Sequence, residues 1–440
     1  MKENPQSTLV YFNSKPPLSV SINSIHRNLQ ASNSTPLSKP DISTMKDQSI
    51  ILKEDVSVDD YSDLLTVAPF CWWRSAAKFE EYLKWKEEEA KSPSLNPFKL
   101  DPELTFMREM ERLALLSPEG LDELRQKLYA YRAGDFWVPA GGVKREDMDI
   151  PPVNTILLVG FHNSGKSSLV NLMYSVLGRT GVIPFAQTLS GNGSRQMAPT
   201  LEEHNVLRSM RSGFCVYDSA GFDYDEVNEF TGEMWDWMID GVYHREPLKK
   251  LEDESHNRHH PWKKMESDFN ISLTSSTPKF AKRRVTFVMV VANLFEINKA
   301  IKSGDRQPLE AVRQIFCSPA IRKCNENPLL ILTHGDEVGC EDRINARLKI
   351  CDYLEISEAT GVYDIVCLTE YGFLPDESDL ITAYSVTEAI YRSLMVADRG
   401  HLPKRKIKDK MILVLAWFMG LLGAFFGLLA RSFSALSSRY

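Results

Sequence analysis

Residues 154–172 read "NTILLVGFHNSGKSSLVNL", and they constrain the fold more than any other stretch. An apolar, strand-like run ends in Gly160-Phe161-His162-Asn163-Ser164-Gly165-Lys166-Ser167, and a helix-like pattern continues from Ser168. G-x-x-x-x-G-K-[ST] between a strand and a helix is a phosphate-binding loop. The glycines let the backbone approach phosphate oxygens, successive N–H groups point inward, and the helix N-terminus adds partial positive charge. Lys166 is placed to reach the terminal phosphates, and Ser167 to give its hydroxyl to Mg²⁺. Such a unit predicts an α/β domain built on a parallel sheet.

Later segments extend the pattern. "GFCVYDSAGF" (213–222) is an apolar strand ending in Asp218-Ser219-Ala220-Gly221. Asp218 is placed to hold Mg²⁺ through water, and the Gly221 N–H to meet a γ-phosphate. Thr200 lies eighteen residues before Asp218 and is read as the Mg²⁺-binding threonine of the intervening loop, with a strand, "EEHNVLRSM", after it. Thr188 is the alternative. "NPLLILTHGDEV" (327–338) ends a third strand in Thr333-His334-Gly335-Asp336. That ending resembles the [NT]-K-x-D guanine element of translation-factor-class GTPases. An aspartate there accepts from the guanine N1–H and 2-amino group, which adenine does not present in that arrangement. His334 stands where that element carries a lysine packed on the base. "RVTFVMVVANLF" (284–295) reads as a central strand buried on both faces. "YDIVCLTEYG" (363–372) reads as another, with Thr369-Glu370 placed to pack on the base. This order predicts a doubly wound, mostly parallel sheet over 153–398 that binds its ligand at the carboxyl ends of the strands.

"LLVGFHNSGKSSLVNLM", "YDSAGF", "LLILTHGDEV" and "AIYRSLMVADRG" occur in that order. Over residues 155–398 the chain thereby resembles the interferon-induced protein 44-like family of GTPase-type proteins. The resemblance implies binding of GTP or GDP; it does not imply robust hydrolysis. Phe222 follows the D-x-x-G segment, where Ras-like enzymes carry a glutamine that orients the attacking water. Two readings follow. In one, hydrolysis is slow or absent. In the other, catalysis comes from elsewhere, because Asn163 sits where dimerisation-activated, potassium-dependent GTPases carry an asparagine that ligates K⁺. Asn163 also has a plain reading, as a residue that tolerates the unusual backbone angles of the loop. The catalytic candidates are therefore Lys166, Asn163 and Thr200, and the metal candidates Ser167, Thr200 and Asp218.

The remaining chain is read more coarsely. Residues 1–60 are Ser-, Asn- and Pro-rich and predict a disordered tail, with an organellar transit peptide as the alternative. Residues 61–134 predict a helical region, in which Asp101-Pro102 and Ser117-Pro118 each read as a helix start and Gly134 as a stop. A linker is expected at 135–152, and a charged, solvated insertion at 244–283. A net charge of −7 gives no reason to expect a nucleic-acid partner. Seven scattered cysteines with no C-x-x-C pair predict reduced thiols.

The tail carries the second strong signal. "MILVLAWFMGLLGAFFGLLA" (411–430) is twenty residues without a charge, long enough as a helix to cross a bilayer. Five basic residues lie in "KRKIKDK" (404–410), within the juxtamembrane segment 399–410 that precedes it, and ten residues follow (431–440). The expectation is a tail anchor that leaves the large domain in the cytosol. Endoplasmic reticulum, mitochondrial outer membrane and plastid envelope are equally compatible. Gly423-x-x-x-Gly427 and Ala416-x-x-x-Gly420 offer faces for a homodimer in the bilayer. The reading is a membrane-anchored guanine-nucleotide-binding protein or GTPase switch. The alternatives are a nucleotide-stabilised membrane scaffold and an ATP-specific P-loop enzyme.

Overall fold

The structure, a computed structural model, describes residues 67–91, 101–139, 143–178, 200–207, 213–247, 282–324, 327–366, 379–404 and 407–437. The expectations for residues 1–60, for Thr188, for Thr369-Glu370 and for most of the charged insertion fall outside them.

Among the described residues seven strands form one sheet in the order β4-β2-β3-β1-β5-β6-β7. They are β1 (Asn154–Val159), β2 (Thr200–His204), β3 (Phe214–Asp218), β4 (Glu246–Pro247), β5 (Phe287–Asn293), β6 (Leu329–Thr333) and β7 (Val362–Asp364). β3, β1, β5, β6 and β7 run parallel, while β2 pairs antiparallel with β3, and β4 antiparallel with β2. This is the mostly parallel, doubly wound sheet expected from the run of apolar segments. β1 and β5 are buried at every position, as strands covered on both faces must be.

Successive residues divide between the two cores. Ile156, Leu158, Val216, Met289 and Ile331 face one; Leu157, Val159, Tyr217, Val290 and Leu332 face the other. Among the helices covering the sheet are α3 (Lys166–Gly178), α4 (Val227–Asp240), α5 (Leu294–Ser303), α6 (Gln307–Phe316), α8 (Cys340–Leu354) and α9 (Leu380–Arg399). A six-residue helix, α7 (Pro319–Cys324), precedes β6.

The N-terminal region packs onto this domain. It contains α1 (Phe79–Lys91) and α2 (Pro102–Ala130), and α2 lies along α9. Ser117-Pro118 does not start a new helix, because α2 runs through Pro118. A proline inside a helix leaves the carbonyl four residues earlier without its N–H partner. Here that carbonyl belongs to Ala114, and the buried Ser117 hydroxyl donates to it at 3.1 Å. Gly134 lies beyond the helix end, in a turn with φ 87°.

That turn is held by Asp398, at the end of α9. The carboxylate accepts from Tyr131 Oη (2.9 Å), Gly134 N (2.8 Å), Phe136 N (3.0 Å) and Asn154 Nδ2 (2.7 Å). Burial pushes its pKa up, but these hydrogen bonds and His401 outweigh burial and hold the carboxyl below its ordinary value. Since Asn154 opens β1, the end of α9 is fixed to the amino-terminal edge of the sheet.

Beyond it, Lys404 N donates to Asp147 O at 2.7 Å, and α10 (Ile407–Ser437) follows. Met411, Trp417, Phe418, Phe425 and Phe426 on α10 are exposed. Among the described residues no helix is long and apolar enough to cross a membrane; the side chains of 412–414 lie outside them.

Candidate functional site

The parallel strands bring their carboxyl ends to one edge, and the phosphate loop is pinned there from two sides. Gly160 follows β1 where β5 passes so close that a Cβ would sit 2.3 Å from Val291 O. Only glycine fits that approach. Asn163 is left-handed, with φ 55°, and its side chain is exposed. Its carbonyl accepts from Asn293 Nδ2 at 3.1 Å. The Ser164 carbonyl accepts from Thr333 Oγ1 at 2.8 Å. The third expected strand end thus bonds directly to the loop expected to hold phosphate.

Lys166 opens α3 and is buried. Its Nζ donates to Gly160 O (3.0 Å), Phe161 O (2.9 Å) and Ser164 Oγ (3.3 Å). Burial pushes the ammonium down to about 8, against the opposing pull of Asp218. Ser167 Oγ donates to Asp218 Oδ2 at 2.5 Å. Burial pushes the Asp218 carboxyl up to about 6, although Lys166 and the Ser167 hydroxyl both favour its ionised form.

Among the described residues the other oxygen, Asp218 Oδ1, is buried with no hydrogen-bond partner. A buried carboxylate oxygen left unpaired is costly unless something else satisfies it. A hydroxyl and an unpaired carboxylate oxygen side by side are a suitable donor set for Mg²⁺ in its water shell. Ser167 would bind the ion directly and Asp218 through water. Among the described residues there is no cluster of three or more His, Cys, Asp or Glu side chains able to hold a metal.

The D-x-x-G segment abuts the same loop. His162 N donates to Phe222 O at 2.8 Å, and a Cβ on Gly221 would lie 2.9 Å from His162 N and Cα. Phe222 itself turns inward. It is 2% exposed and stacks on Phe230 with ring centroids 4.6 Å apart. Phe161 is likewise a core residue, against Tyr224 at 4.5 Å.

On the side of the THGD segment, Gly165, Ser168, Leu169, Thr333, Ile365 and Val366 line a narrow crevice. His334 is left-handed (φ 56°), with its Nδ1 2.9 Å from Thr333 Oγ1. Asp336 is exposed in the turn Gly335–Glu337 directly after β6. Thr200 is placed differently from the expectation. It is the first residue of β2, laddered to Pro247, rather than part of a loop before the strand. Among the described residues no hydrogen bond joins it to Ser167 or Asp218. Its register, two residues from the Glu202–Asp218 pair, leaves it at the carboxyl edge of β3.

Two contributors were not anticipated. Asn293 ends β5, caps α5 by accepting from Glu296 N, and clamps the phosphate loop. A polar residue closing the run "VMVVAN" before a helix-like segment was the available signal. The second is a buried ion pair, Arg343–Asp364, beneath Gly335. No local pattern marks it, because its partners are far apart in the chain.

Fold and site together define a phosphate-loop α/β domain whose D-x-x-G and THGD segments both touch that loop. No family model and no curated protein matches the sequence. Among solved structures, the chain is similar to a probable GTP-binding protein engB at 13% identity and a TM-score of 0.28, over 55% of this chain and 98% of that one. It is also similar to Toc33 from Arabidopsis thaliana in complex with GDP and Mg²⁺ (16% identity, TM-score 0.25, 65% and 96%). A third is a protein of an oligomerised bacterial dynamin pair (12% identity, TM-score 0.27, 86% and 62%).

Proposed function

We propose that this chain binds guanine nucleotide with Mg²⁺, as a membrane-anchored switch with slow or dimerisation-dependent hydrolysis. The observation that carries the reading is the Thr333 hydroxyl on the Ser164 carbonyl, 2.8 Å. It puts the strand end bearing Asp336 beside the loop bearing Lys166. Gly160–Ser168 would cradle the phosphates, Ser167 and Asp218 would hold Mg²⁺, and Asp336 would select guanine. Thr200 remains the candidate for a further Mg²⁺ contact. The inward-facing Phe222 favours a second reading, a nucleotide-stabilised scaffold without significant turnover, because nothing at that position orients water. Asn163 is a candidate K⁺ ligand; its left-handed backbone accounts for an asparagine there even without an ion.

Anchoring is supported by the uncharged run 411–430 and by the exposed apolar side chains of α10. It would leave the nucleotide domain on the cytosolic side. Gly423 and Gly427 would let two copies of α10 pair within the bilayer, an association separate from the one that hydrolysis would need.

The test is displacement of fluorescent GDP from detergent-solubilised full-length protein. GTP should compete and ATP should not. Lys166→Ala should lose binding, and Asp336→Asn should move preference from guanine to xanthine, whose C2 oxygen accepts from the new amide. ATP competing on equal terms would move the assignment to an ATP-specific enzyme. Single-turnover hydrolysis at low and high protein concentration, in KCl and in NaCl, separates switch from scaffold.

A further inference from the structure

The base-recognition side of the pocket is covered from outside the nucleotide fold. Arg343, in the first turn of α8, makes a two-pronged ion pair with Asp364 at the end of β7: Nε to Oδ2 at 2.9 Å and a terminal nitrogen to Oδ1 at 2.6 Å. Both side chains are buried. Gly335 lies directly on this pair. A Cβ there would meet Arg343 Nε at 2.5 Å and Asp364 Oδ1 at 2.8 Å. The ion pair is therefore the floor beneath the turn that presents Asp336. It also fixes the strand end leading into Ile365 and Val366, which line the crevice beside Gly165.

A face of the Arg343 guanidinium is closed by the N-terminal region. The Trp72 ring centroid lies 3.8 Å from Arg343 Cζ. Neighbouring contacts hold the tryptophan there. Cys340 Sγ donates to Trp72 O at 3.3 Å, and Ala77 N donates to Glu341 Oε1 at 2.7 Å. One helical turn on, Arg347 repeats the arrangement against Phe106 of α2 at 4.9 Å. A planar, weakly hydrated guanidinium with its edge on a carboxylate and its face on an indole is held in one orientation. Gly335 has no side chain to absorb a shift, so any tilt of Arg343 passes directly to the turn it supports.

We infer that Trp72 and Arg343 are positioning residues for base recognition: the N-terminal segment sets the hold on the base and the discrimination between bases. The inference rests on the guanine-nucleotide reading above. Neither residue is placed to touch the nucleotide. Their effect runs through Gly335 and the end of β7, and their loss should leave the phosphate and Mg²⁺ contacts in place.

The experiment measures dissociation of fluorescent GDP from the full-length protein in detergent, together with the GDP-to-IDP affinity ratio. IDP lacks the 2-amino group and so reports the base contact alone. Trp72→Leu keeps an apolar side chain and removes the ring. It should speed GDP release about tenfold, in line with a desolvated cation–π contact, and should shrink the GDP-to-IDP ratio. Trp72→Phe should restore most of both. Arg343→Lys, which keeps the charge without the fork, should behave like Trp72→Leu, and it carries the test if the Trp72→Leu protein does not fold. Mg²⁺ dependence should be unchanged in each.

A lowered melting temperature with an unaltered GDP-to-IDP ratio would reduce Trp72 to a packing residue and overturn the inference. Wild-type protein that binds GDP no better than ATP would instead overturn the underlying reading.

Discussion

Lys166 is the residue on which the chemistry turns, and its protonation is open to measurement. In the unfolded chain a lysine keeps its proton up to its ordinary 10.5; in the folded protein burial brings that down to about 8. Between those values the unfolded state binds more protons, so stability of the free protein rises with pH across that window. Polyphosphate oxygens brought to Nζ favour the charged form and restore the proton. Nucleotide binding at pH 9 should therefore take up close to one proton, and almost none at pH 7. Calorimetry in two buffers of different ionisation enthalpy reads this directly; equal uptake at both pH values would contradict the buried ammonium. Lys166, Ser167 and Asp218 were legible in the sequence because strand ends and a fixed spacing bring them together. Phe222 was legible only as a missing glutamine. That its ring belongs to the core against Phe230 depends on α4, which no local spacing specifies.

At the scale of elements, the sheet was the readable part. Strands buried on both faces are continuous apolar runs, and β1, β3, β5 and β6 fall where such runs occur. The edge was less readable. β2 starts at Thr200 and is only partly buried, so its pattern is mixed and the strand expected from residue 202 onward was displaced. The Ser117-Pro118 pair misled for a different reason. A proline at a helix start and a proline tolerated mid-helix look alike locally; what distinguishes them here is a buried face that continues through Ala114, Ser117 and Leu121. If Ser117 satisfies the carbonyl that Pro118 leaves open, Ser117→Ala should cost about 1–2 kcal/mol through an unpaired buried acceptor. Pro118→Ala restores the backbone donor, and in that background Ser117→Ala should be nearly neutral. A double-mutant cycle by denaturant unfolding measures the coupling. Additive effects would mean the hydroxyl does not stand in for the missing N–H.

For the whole molecule, the two ends of β1 carry two different attachments. Val159 leads into the phosphate loop, while Asn154 binds Asp398, six residues before Lys404 is tied to Asp147. The chain therefore heads toward α10 from the amino-terminal edge of the sheet, and the nucleotide edge lies roughly 20 Å away along a strand of this length. With α10 in a bilayer, as proposed, the amino edge faces the lipid and Asp336 faces away from it. Fluorophores attached at position 146, beside the tie, and at position 337, beside Asp336, probe this in nanodiscs carrying a headgroup nitroxide quencher. Position 146 should be strongly quenched and position 337 hardly at all. Equal quenching would show that the segment after Lys404 does not set the orientation. No quenching at either site, with full-length protein and a version lacking 407–437 both remaining in the aqueous phase, would remove the anchor itself. The orientation also bears on pairing. With the nucleotide edge turned from the membrane, contact between α10 helices alone would not bring two phosphate loops together. Hydrolysis that rises with protein density on the membrane should then depend on the exposed carboxyl edge, and replacing Gly423 and Gly427 by leucine should leave it largely intact.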